Sequence, residues 1–241
     1  MPYATSNVYD TLCGGALESM KGGRGNNVSI AQLISDKGTF LVKIFATLVA
    51  QLSLTYYIMT HYERKNDTKR QVPNKWIVML LSLGIIVVMA MVPMSIYFKF
   101  GLFTTFSALT GFLFSDLMAM TNPTAVRVAI LGTLGIFATF FIAGAFLLAS
   151  GIALGFRTGI VLLISLLLLI VAMVVSIFLR DYSTFSQSLT GIGLFLFSMY
   201  ILYDTNRILQ KDYFGDFVTA SLEYYLDIIN IFIRLLSFNR Q

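Results

Sequence analysis

The stretch Ser221–Phe238, SLEYYLDIINIFIRLLSF, decides how this chain folds. Its length and apolar content suit a membrane helix, yet Glu223 and Asp227 stand in its first half and Arg234 in its second. An ionised side chain at the centre of a bilayer helix costs at least roughly 2.5–3.5 kcal/mol. On a helical wheel Glu223, Asp227, Asn230 and Arg234 fall at i, i+4, i+7 and i+11 and share one face, while Tyr, Leu, Ile and Phe fill the others. Such a stripe cannot face lipid. The helix is a re-entrant or surface segment, or it lies in the middle of a bundle whose other helices supply polar partners.

The preceding apolar run, about Ser186–Leu209, ends in LYDTNRIL and supplies one obvious partner. Asp204 is the only acid on that run. A loop of about ten residues makes the two helices antiparallel neighbours. Asp204 lies about six residues before the end of its helix, and Asp227 about as far into the next, so the two carboxyls reach similar depth and face one another. Two carboxyls together in a low dielectric cannot both ionise freely; they share a proton and titrate as a pair. The pair is a pH sensor and, when ionised, a hard oxygen site for a cation such as Ca2+. The structural alternative is a set of ion pairs, Asp204 with Arg207 and Asp227 with Arg234, that fixes helix packing alone.

The rest of the chain agrees with a membrane setting. Of 241 residues, 57% are hydrophobic and 12% charged, and the mean hydropathy is +0.79. Soluble domains carry about 25% charged residues. The net charge of +5 points to loops at anionic lipid headgroups rather than to nucleic acid. Residues 1–36 are polar and glycine-rich and read as a flexible tail; residues 37–241 form the membrane domain. The first apolar run starts only near Phe40, too far in for a signal peptide, so it reads as a retained span. Seven spans are expected: about Thr39–Thr60, with Lys43 snorkelling near one end; Trp76–Phe98, with Pro93 as a kink; Phe100–Met120; Val126–Leu148; Thr158–Leu179; Ser186–Leu209; and Ser221–Phe238. Small residues in the third span (SALTGFLFS) and at Gly132, Gly135, Ala138, Ala143 and Gly144 in the fourth suit close helix approach. The fifth is apolar all round and should face lipid. Lysine and arginine divide almost evenly between the two sides, which leaves orientation open. The sequons at Asn27 and Asn66 fall on opposite sides.

Several chemistries find no residues to carry them. The single cysteine, Cys13, excludes an internal disulfide and reads as an inert thiol. The sequence holds no GxSxG, no P-loop and no His/Cys cluster, so no enzyme activity and no cofactor are expected. Asp116 reads as a solvated or capping acid and His61 as surface.

The two-part carboxy-terminal pattern resembles the signature of the Bax inhibitor-1 (TMBIM) family. Tyr203, Asp204 and Thr205 match its first part; Tyr225, Leu226, Asp227, Asn230 and Phe232 match its second. The first span is similar to the family's opening helix at Phe40, Leu41, Lys43, Phe45, Gln51 and Leu52. The resemblance covers residues 37–241 and implies an all-α bundle of seven transmembrane helices with the seventh central. It implies a pH-sensitive Ca2+ leak gated by an aspartate pair, here Asp204 and Asp227, with Glu223, Asn230, Arg207 and Arg234 in support. It also implies the inner membrane for a bacterial member, or the ER or Golgi membrane and suppression of cell death for a eukaryotic or viral one. The family's second-span arginine, which latches onto the aspartates, has no counterpart in WIVMLLSLGIIVVMAMVPMSIYF, so Arg207 or Arg234 takes its place or the closed state is held less tightly. The partners expected are the bilayer, Ca2+ and protons, and other membrane proteins. Two alternatives stay beside the leak reading. One is a regulator that binds cell-death factors or a membrane protease, with structural acids; the other is a proton-coupled carrier.

Overall fold

The computed structural model describes residues 29–63, 74–176, 182–210 and 215–238, and every regular element among them is an α-helix. In chain order these are α1 (Ile30–Asp36), α2 (Gly38–Glu63), α3 (Lys75–Met91), α4 (Ile96–Leu113), α5 (Ser115–Ala119), α6 (Pro123–Ala149), α7 (Phe156–Ser176), α8 (Tyr182–Gln210) and α9 (Phe217–Phe238). The stretch read as a tail is therefore helical from Ile30, because Ser29 and Gln32 form a capping box that satisfies the first backbone N–H groups. The tail up to residue 28, with Cys13 and Asn27, and the loop residues 64–73, with Asn66, lie outside the described residues.

Among the described residues five helices are long and apolar enough to cross a bilayer: Gly38–His61 within α2, α4, α6, α7, and Gln187–Gln210 within α8. The apolar α3 has 17 residues, about 25 Å at ~1.5 Å per residue, the short end of what spans hydrocarbon. The polar stripe of α9 keeps it out of that group. The protein is thus an integral multi-pass membrane bundle in which, among the described residues, five helices are clear spans and α9 is enclosed by its neighbours.

Pro93 corrects the expected second and third spans. Proline drives the residue before it out of helical geometry, and Val92 is extended at φ −101°, ψ 118°. α3 has already stopped at Met91. Ser95 then caps α4, its Oγ accepting from the Phe98 N–H at 3.4 Å. What reads as one kinked span over Trp76–Phe98 is nearly the whole of α3 and the first turn of α4. The expected third span breaks at Phe114, and α5 carries Asp116, which pairs with Lys75 at the exposed edge.

α9 lies against α8, α2 and α6, and more lightly against α4. Tyr224, Tyr225, Ile231 and Leu236 on it are fully buried. Adjacent tyrosines point to different neighbours. Tyr224 stacks on Phe45 of α2 at 6.3 Å and meets Phe137 of α6 edge-on at 5.2 Å. Tyr225 meets Phe103 and Phe106 of α4 at 5.2 and 5.8 Å. Aromatic pairs of this kind add about 0.5–1.5 kcal/mol each beyond the area they bury. Close approach falls at two glycines. A Cβ at Gly144 would stand 2.5 Å from the Leu202 carbonyl oxygen, and one at Gly111 would stand 2.6 Å from that of Thr55, so α6 touches α8 and α4 touches α2 backbone to backbone. α7, apolar beyond Arg157 and Thr158 in its first turn apart from Ser165 and Ser176, packs on α8 through Leu162 and Leu169 and leaves residues such as Val161 and Leu168 exposed.

Candidate functional site

The last two turns of α8 and the first half of α9 hold every acid of the expected site. Asp204 and Asp227 are 6% and 4% exposed, and their carboxyl groups are near enough to act directly on one another. Among the described residues no N–H or hydroxyl donates to the buried Asp227 Oδ2, and the Asp204 carboxyl is the group that interacts with the Asp227 carboxyl. An ionised carboxylate only accepts, so this contact closes as a hydrogen bond when one proton lies between the two. The depth argument from loop length therefore places both residues where the structure has them.

Glu223 and Arg207 stand one turn away, toward the α8–α9 loop. Arg207 Nη1 donates to Glu223 Oε1 at 3.5 Å across the two helices, and the charges of both residues act on Asp204. Asn230 behaves differently from its place in the stripe: its Nδ2 donates to Leu226 O of its own helix at 2.7 Å. Arg234 is farther still from the acids. Its guanidinium lies over Gly193 of α8, donates to Leu189 O at 3.3 Å, and sits 5.3 Å from the Phe197 ring centroid. It makes no ion pair among the described residues. The reason is the antiparallel packing: the second half of α9 meets the first half of α8, which carries no acid. Of the two cations offered for a latch, Arg207 is the one beside the pair.

Three features escaped sequence reasoning. The Tyr200 phenol, one turn before Asp204, is within electrostatic reach of both acids; an aromatic hydroxyl at i−4 was its signal. Asn206 is fully buried and clasps the connection between α6 and α7. Its Nδ2 donates to Gly144 O at 3.1 Å and Ile152 O at 3.0 Å, and its Oδ1 accepts from Leu154 N at 2.8 Å and from Gln210. On the other side of α9, Thr55 Oγ1 meets the Tyr225 hydroxyl at 2.6 Å, the Ser107 carbonyl at 3.0 Å and its own Gln51 carbonyl at 2.9 Å. Gln51 and Thr55 at i, i+4 inside an apolar run were the clue. Tyr224 ties the site to α8 through Thr205, at 2.9 Å.

Chemically, the pair offers four oxygens, fewer than the roughly 6–8 that Ca2+ takes. Among the described residues no group of three His, Cys, Asp or Glu stands together as a metal site. The arrangement can exchange a proton and can meet a cation that keeps most of its water.

Comparison with known proteins bears on the same segments. A family model described as "Inhibitor of apoptosis-promoting Bax1" matches residues 37–241. An uncharacterised protein of Deinococcus radiodurans is 30% identical over 210 residues, covering 83% of this chain and 89% of its own length. Bax inhibitor 1 of Schizosaccharomyces pombe is 29% identical over 206 residues, 82% of this chain and 74% of that one. The Golgi anti-apoptotic protein of vaccinia virus is 35% identical over 80 residues, a third of each chain. Matched from the start of its first span to its last residue, and built as a membrane bundle around its carboxy-terminal helix, the chain belongs to the Bax inhibitor-1 family.

Proposed function

We propose that the protein is a regulator of cell death that acts as a Ca2+ leak, gated by protonation of the Asp204–Asp227 pair. The observation that carries this reading is the apposition of two buried carboxyls from consecutive antiparallel helices inside a membrane bundle. With one proton between them the acids attract, and α8 and α9 stay closed over the path. With both ionised they repel in a medium of low dielectric, which favours separation, and their oxygens draw a divalent cation. Arg207 is the counter-charge nearest the pair and, through Glu223, a second tie between the same helices. A role in cell death extends to this chain what the names of its yeast and viral relatives say of those proteins.

The test is Ca2+ entry into proteoliposomes, scanned from about pH 5 to 8, for the wild type and for Asp204→Asn/Asp227→Asn. Flux that rises with pH in the wild type, and a variant that loses this dependence while keeping its fold, are expected. Equal flux and an equal pH profile in the two proteins would refute the gate. No flux from a folded wild type would make the acids a structural tie and turn the search to protein partners.

A further inference from the structure

A groove of about 310 Å³ opens on the flank of the bundle between α2 and α6, with α9 as its floor. Its rim is exposed: Ser53 and Tyr56 on α2, and Leu134, 58% exposed, on α6. Its depth is not. Met59 is 1% and Phe232 7% exposed, and both line it. All the lining residues lie within helices of the membrane bundle, so the medium at its mouth is lipid hydrocarbon. None is charged. The two threonine hydroxyls inside are already engaged, Thr55 with Tyr225 and two backbone carbonyls, Thr133 with Ala129 O at 2.7 Å. A headgroup or an ion finds no counter-charge there. A flexible alkyl chain is uncharged and narrower than the roughly 10–12 Å of a helix, and can lie along such a lining and make dispersion contacts with it.

We propose that this groove seats the hydrocarbon tail of a membrane lipid, which enters sideways between α2 and α6 and rests on α9. The proposal does not depend on the leak reading. Its floor includes Ile228, the residue after Asp227, so an occupied groove bears on the helix that carries one of the two acids.

The experiment uses the full chain in vesicles of phosphatidylcholine doped with a phosphatidylcholine carrying a photoactivatable diazirine on its acyl chain. Adducts are mapped by peptide mass spectrometry. Adducts on Met59 and Phe232, which lipid reaches only through the groove, are expected alongside those on the lipid-facing Leu168. Ser53→Trp and, from the opposite lip, Leu134→Trp should each cut the Met59 and Phe232 adducts several-fold and leave Leu168 labelled. Labelled Leu168 with Met59 and Phe232 at background in the wild type overturns the proposal. So do floor adducts that persist unchanged in both tryptophan variants, or cross-links from the groove to a second copy of the chain in place of lipid.

Discussion

Replacing Asn206 by leucine should unfasten one end of the bundle. The side chain is fully buried and holds three backbone groups of the α6 end and the α6–α7 connection: Gly144 O, Ile152 O and Leu154 N, at 3.1, 3.0 and 2.8 Å. It also accepts from Gln210, which itself donates to Leu154 O at 3.3 Å. Leucine matches the volume and offers no hydrogen bond, so Ile152 O and Leu154 N lose the partner Asn206 supplies and Gly144 O, inside α6, loses its second, in a place water reaches poorly. Interhelical hydrogen bonds in membranes average ~0.6 kcal/mol and reach ~1.7, and an orphaned buried group costs about 1–3 kcal/mol. Three interhelical bonds at those values come to about 2–5 kcal/mol. In a chain of this size that corresponds to a Tm lower by about 4–20 °C. The assay is thermal unfolding in detergent, followed by the loss of the monodisperse peak on size exclusion. A shift under about 2 °C would refute the clasp, since even one average bond per orphan predicts more.

Three further outcomes follow from contacts already described. Gly193→Ala puts a methyl where the Arg234 guanidinium lies and should destabilise by about 1–3 kcal/mol through overpacking, read as a lower Tm, while the Asp204–Asp227 region is untouched. Tyr225→Phe removes the 2.6 Å contact with Thr55 and should cost about 1 kcal/mol, with Thr55→Val adding little on top of it in a double-mutant cycle. At the α8–α9 loop, partial burial pushes the Asp216 carboxyl up, but Lys99 at 2.6 Å and the bonds from Thr219 outweigh it and hold the group below the usual carboxylate range. Its contribution to stability is therefore complete above about pH 4 and is lost as pH falls through the folded value. Lys99→Ala should melt below the wild type at neutral pH, and the gap between the two should narrow on acidification.

Much of the site was legible because it depends on spacing along two consecutive helices. A short loop and matched distances from it suffice to bring Asp204 to Asp227. The partner of a charge farther along was not legible, since a shared face says nothing of what the neighbour carries at that depth. Arg234 shares the stripe, yet it meets Leu189, Gly193 and Phe197 rather than an acid. Asn230 turns to its own backbone, a choice open to any short amide on a helix. Among the spans, hydropathy runs straight through Trp76–Phe98 because Val92, Pro93 and Met94 are all apolar; only the backbone restriction before proline ends α3 at Met91. The Thr55–Tyr225 contact joins residues 170 positions apart, beyond the reach of any local pattern.

The Asn206 clasp has a mechanical meaning for the acid pair. It sits two residues after Asp204 and bolts the end of α8 to the α6–α7 connection, while Gly144 seats α8 directly on the backbone of α6. α8 is in this sense the stator of the bundle. α9 is fastened to it by side-chain contacts, Tyr224 to Thr205, Glu223 to Arg207 and Arg234 to Leu189 O, and to α4 by Lys99 at its first turn. On the leak reading proposed above, a parting of the two carboxyls would be a displacement of Asp227 away from Asp204, carried by the helix that α8, α2, α6 and α4 surround.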